Sequence, residues 1–132
     1  MSATLTKKLR WGKGYSGKLG NKAWIARITG VEVDVLSTGK VMPLTREFVD
    51  ATRVEREHFN RARTVIEFTY DLEPGLYEQS AEGERSLFIV FANAEGAIKW
   101  STVSAARARA IAERLDEGES FEAAIIATKE VA

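Results

Sequence analysis

Apolar and polar positions alternate along much of the chain up to Ser101, and the period lengthens to that of a helix beyond Val103. Trp24, Ala26 and Ile28 alternate with Ile25, Arg27 and Thr29. Val31, Val33 and Val35 alternate with Glu32 and Asp34, the period of a strand with one wet face. Ser37-Thr38-Gly39-Lys40 makes a hairpin connection into a returning strand, Val41 to Val49, and Pro43 limits that strand to an edge or a bulge. Further strands are predicted over Thr64 to Tyr70, Leu76 to Ser80, Ser86 to Ala92 and Ala97 to Ser101. The run from Leu87 to Ala92 is apolar throughout, so its strand is expected to be central and buried on both faces. Turns fall at Asp71 to Gly75, Ala81 to Glu84 and Asn93 to Gly96. Connections this short predict antiparallel pairing, because a parallel partner needs a crossover of about a dozen residues.

Two helices are predicted at the end. Ser104 is placed to cap Ala105 to Glu117, Gly118 stands at the position that closes it, and Ala108, Ile111, Ala112 and Leu115 form its apolar stripe. Arg107, Arg109, Glu113 and Arg114 fall away from that stripe. Ser120 caps a second helix striped by Phe121, Ala124, Ile125 and Thr128. The fold class expected is α+β: a mostly antiparallel meander with two C-terminal helices packed on one face. The chain reads as one domain over residues 1–132, with a basic arm over 1–22, a mainly β region over 23–101 and the helices over 104–130.

Three stretches are less patterned. Met1 to Thr6 is expected to fray, and Lys7 to Gly20, broken by Gly12, Gly14, Gly17 and Gly20, reads as a loop or a glycine-broken hairpin. Asp50 to Arg63 alternates charges and has only Val54 and Phe59 as anchors, which fits an exposed helix or an ordered loop, the loop being preferred. Phe88, Val90, Ile98 and Trp100 share one sheet surface, expected to be helix-covered core rather than a ligand platform.

Composition changes this picture in one respect. The 19 basic and 19 acidic residues cancel, but residues 1–30 hold seven cations (Lys7, Lys8, Arg10, Lys13, Lys18, Lys22, Arg27) and no acid. The remaining residues carry 12 bases and 19 acids, so a +7 segment is joined to a −7 body. Such polarity bears on partners rather than on fold. Two accounts stand: the basic segment engages a partner, or it lies across its own acidic sheet. Having no cysteine and a single histidine, the chain excludes thiol, disulfide and multi-histidine metal chemistry, and no cofactor is expected. No apolar run approaches the roughly 20 residues that span a bilayer, and Met1 to Arg10 has no signal-peptide pattern, so a soluble, cytoplasmic protein without membrane contact is expected.

Gly12-Lys13-Gly14-Tyr15-Ser16-Gly17 matches G-x-G-x-x-G in letters only. The downstream segment from Trp24 is strand-like, so the helix N-terminus that would hold a pyrophosphate is missing. A flexible turn is the simpler reading, and a lysine-flanked nest of amide groups keeps anion binding open. Cations interleave here with Trp11, Tyr15 and Trp24, the mixture by which proteins neutralise phosphates and stack bases. The alternative puts Trp24 in the core and Trp11 over a sheet edge. His58 has acids nearby in sequence but no second feature that would make it a general base, and no Ser-His-Asp order stands out. A hydrolase or transferase built on His58 and a carboxylate is the remotest expectation, and a non-enzymatic protein is the expected class.

Val54 to Glu78, Trp11-Gly12-Lys13-Gly14 with Ile25 to Gly30, and the helix bearing Ala105, Arg107 and Arg109 resemble small uncharacterised proteins of actinobacterial phages and prophages. The resemblance implies a phage accessory protein and carries over no site residues. Two functions are therefore expected. One is gripping a polyanion, nucleic acid or nucleotide, through Lys7, Lys8, Arg10, Trp11, Lys13, Tyr15, Lys18, Lys22 and Arg27. The other is inhibition of a host defence complex by protein contact, with the acidic face mimicking nucleic acid or the basic arm meeting an acidic partner.

Overall fold

A computed structural model describes residues 4–11, 24–31, 44–49, 54–60, 63–81 and 84–132, with positions 8–11, 24, 54–60, 63–69, 80–81 and 84–85 described through their backbone. The elements are β1 (Leu5–Trp11), β2 (Trp24–Val31), β3 (Leu44–Phe48), β4 (Val54–Asn60), β5 (Arg63–Leu72), β6 (Gly75–Ala81), β7 (Glu84–Ala92), β8 (Ile98–Thr102), α1 (Ala105–Asp116) and α2 (Phe121–Ala127). The fold is α+β. Five strands form one sheet in the order β3-β2-β6-β7-β8, and three form another in the order β1-β5-β4. All neighbouring strands run antiparallel.

Alternate residues of the five-stranded sheet feed two cores. On one face Ile25, Tyr77, Phe88 and Val90 pack with Tyr70 and Leu72 of β5, and Leu5 of β1 closes against them. On the other face Ile28, Leu76 and Ile89 meet Ala108, Ile111 and Ala112 of α1 and Ala124 of α2. Leu76 and Tyr77 are consecutive and both fully buried, so β6 is sealed on both sides. β7 is central, as its apolar run predicts, and β3, which follows Pro43, is an outer strand.

The helices end as their sequence dictates. The Ser104 hydroxyl accepts from the Arg107 amide at 3.0 Å, and the Ser120 hydroxyl accepts from the Ala123 amide at 3.2 Å. Gly118 takes φ 91°, and its amide donates to the Leu115 carbonyl at 3.0 Å. That left-handed conformation suits glycine because it lacks a Cβ.

Three features depart from the sequence reading. Leu5–Trp11, expected to fray at its start and to go on as a loop or a glycine-broken hairpin, is strand β1, paired with the distant β5 over all seven residues. The charge-dense Val54–Asn60 is strand β4, likewise paired residue for residue with β5. In both cases the backbone ladder with a long partner strand outweighs weak local patterning. Finally, β5 and β6 are joined by only Glu73 and Pro74 and yet do not pair; the chain turns a corner between the two sheets. Pro74 lacks an amide proton for a hairpin ladder, and the Tyr77 hydroxyl donates to the Glu73 carbonyl at 2.6 Å, fixing the corner. The outcome is a second sheet on the face opposite the helices. The Ser37–Lys40 hairpin, the Val33–Val35 alternation and Pro43 lie outside the described residues.

Candidate functional site

β1 carries the first cations of the basic segment along an outer strand of its sheet. Lys7 pairs opposite Tyr70, Lys8 opposite Thr69, Arg10 opposite Glu67 and Trp11 opposite Ile66. The strand is pinned near its start, where the Thr6 hydroxyl donates to the Asp71 carboxylate at 2.8 Å. Lys13, Tyr15, Lys18, Lys22 and the glycine-rich motif lie outside the described residues.

Lys7 turns toward the five-stranded sheet. Its Nζ lies 4.3 Å from the centroid of the Trp100 ring and 5.3 Å from that of Phe88, both within cation–π range. Burial against these rings lowers the Lys7 pKa from its ordinary value, since removing water disfavours the ammonium form.

Arg27 of β2 stands at the other end of the same row of rings. Its guanidinium lies 5.5 Å from the centroid of Tyr77, donates to the Tyr77 hydroxyl at 2.9 Å and approaches the Glu73 carboxylate at 3.8 Å. Burial raises the Tyr77 pKa, aided by the Glu73 charge and opposed by Arg27. Donation is therefore ordered, from Arg27 to the phenol and from the phenol to the Glu73 carbonyl.

Between the two cations, three aromatic rings cross three strands. Tyr77 stacks on Phe88 at 5.6 Å with an 18° interplanar angle, and Phe88 meets Trp100 edge-on at 5.9 Å and 77°. The row goes from fully buried Tyr77 and Phe88 to Trp100, which is 47% exposed on β8, an outer strand. The surface bearing Phe88, Val90, Ile98 and Trp100, expected from the sequence to lie under the helices, is on the opposite face. It faces the three-stranded sheet, which leaves Trp100 open beyond Lys7. Two faces follow from strand periodicity, but which layer covers each face does not, so the sequence alone does not separate Trp100 from the core.

Two further candidates are placed by their backbone register. Trp24 begins β2 at the register of Ser80, and His58 lies in β4 opposite Val65. Among the described residues no group of three or more His, Asp or Glu is placed to hold a metal ion. Elsewhere, a groove of ≈ 470 Å³ opens between β7–β8 and α2, floored by Ile89, Phe91 and Ile125 and rimmed by Glu122 and Lys129. At its edge Arg107 ties the helices together, donating to the Ile125 carbonyl at 3.0 Å and the Thr128 hydroxyl at 3.3 Å. No described helix is long and apolar enough to cross a membrane.

Of the three rings Trp100 alone is exposed, so the cluster presents one flat ring to solvent beside the Lys7 cation. No family model, curated protein or solved structure matches this chain.

Proposed function

We propose that the protein is a non-enzymatic binding protein that grips a polyanion, nucleic acid or nucleotide, through its basic N-terminal segment. The observation that carries this reading is the course of β1: an acid-free segment strings Lys7, Lys8 and Arg10 along an outer strand and leads on toward Lys13, Lys18 and Lys22. Cations carried on a paired strand gain affinity for a phosphate backbone as its counterions are released. Lys7 and Arg27 are already engaged on aromatic rings, so the first contacts fall to the other cations.

Titrating labelled oligonucleotides and nucleotides across about 50–200 mM salt tests it. Affinity is expected to fall steeply with salt, and Lys8→Glu and Arg10→Glu each to weaken binding to every sequence alike while reducing the salt slope by about one. No binding at the lowest salt would overturn the reading.

The internal engagement of Lys7 and Arg27 favours a second reading, a phage interaction protein that blocks a host defence complex by protein contact. A single host protein recovered in stoichiometric amount, together with no affinity for nucleic acid, would put this reading in place of the first.

A further inference from the structure

We infer that Trp100 is a base-stacking position for single-stranded nucleic acid, and that Lys7 is the cation that covers it until the strand arrives. This rests on the polyanion reading and narrows its ligand. Trp100 is the largest half-exposed ring of the row, and its edge-on contact with Phe88 fixes its orientation from within the core. An indole held this way is a ready platform, since ordering it costs little further side-chain entropy on binding. One face of the platform is already in use. Lys7 Nζ lies 4.3 Å from the ring centroid, at the place where a base would stack.

Lys7 belongs to the acid-free segment and is partly stripped of water at this position, so a phosphate offers it a better partner than the ring does. The exchange is self-consistent. A base takes the ring face, and the displaced ammonium moves out to the phosphate that accompanies the base. Duplex nucleic acid cannot complete this exchange, because its bases are stacked on one another and only unpaired bases present a free π face. Arg27, at the far end of the row, holds Tyr77 and so keeps the row in register.

The test compares Trp100→Ala, Trp100→Phe and Lys7→Met with the parent protein, using dT and rU oligomers of about ten nucleotides and a duplex of equal length, with thermal melts confirming that each variant is folded. Trp100→Ala is expected to lose about tenfold in affinity for the single strands with an unchanged salt slope. Trp100→Phe keeps a stacking ring, so it should retain affinity within a few fold while losing the component of tryptophan quenching that the parent shows on binding. Lys7→Met should lower the salt slope by about one. Tight binding that is indifferent to Trp100→Ala, or equal for duplex and single strands, overturns the stacking inference and leaves the polyanion reading standing. Failure of the parent protein to bind any of the three probes removes both.

Discussion

Tyr77 ties together the row of rings, Arg27 and the corner between the two sheets. It stacks on Phe88, accepts from Arg27 and donates to the Glu73 carbonyl at the corner between the sheets. Its raised pKa has a definite consequence for stability. A phenol whose folded pKa exceeds the ordinary 10.0 contributes stability that is present below that value and lost as pH climbs through the folded pKa. Absorbance titration of the three tyrosines should therefore contain a late component that disappears in Tyr77→Phe. The variant should also lose about 0.5–1.5 kcal/mol at neutral pH, for the hydrogen bond to the corner. An unchanged titration curve would mean that the phenol is not held as described. Trp100 makes the complementary point about legibility. Its strand position is readable from alternation with Lys99 and Ser101, whereas its exposure depends on a sheet built from residues far earlier in the chain, between Leu5 and Leu72.

Elements were legible in proportion to how locally they are specified. α1 and α2 begin at Ser104 and Ser120 and α1 closes at Gly118, because a cap and its helix are neighbours in sequence. β1 and β4 were not legible, since both are held by β5 and neither Leu5–Trp11 nor Val54–Asn60 has an apolar period strong enough to declare itself. Of the proposed contact residues, Lys7, Lys8 and Arg10 were found by charge, while their placement along an outer strand came only from the pairing. The caps allow a quantitative expectation. Ser104→Ala and Ser120→Ala each remove one side-chain acceptor from a helix N-terminus and should each cost about 1 kcal/mol. Denaturant melts would check this, and a double variant should be less than additive, because Arg107 couples the helices through Ile125 and Thr128.

At the scale of the molecule, one sheet serves two cores, and the layers on its two faces differ in how they are retained. On the helix side, α1 and α2 lay a continuous stripe from Ala108 to Ala124 over Ile28, Leu76 and Ile89. On the other side, the described contacts of the three-stranded sheet with the five-stranded one include Tyr70 and Leu72 at the end of β5, and Leu5 and Lys7 on β1. β4 is an outer strand of the three-stranded sheet, and its described pairing is with β5. Local opening is governed by how much apolar contact a segment must break, so the layers should open in sequence rather than together. Native-state hydrogen exchange is expected to find the slowest amides in β6 and β7, each paired on both sides and sealed by both cores. Amides of the outer strands β4 and β1 should exchange earlier than these. Binding of a polyanion along β1 should slow exchange in β1 and its partner β5 while leaving β6 and β7 unchanged. Equal protection of β4 and β7 would contradict this hierarchy, and a ligand effect confined to the helices would place the binding surface on the opposite face of the molecule.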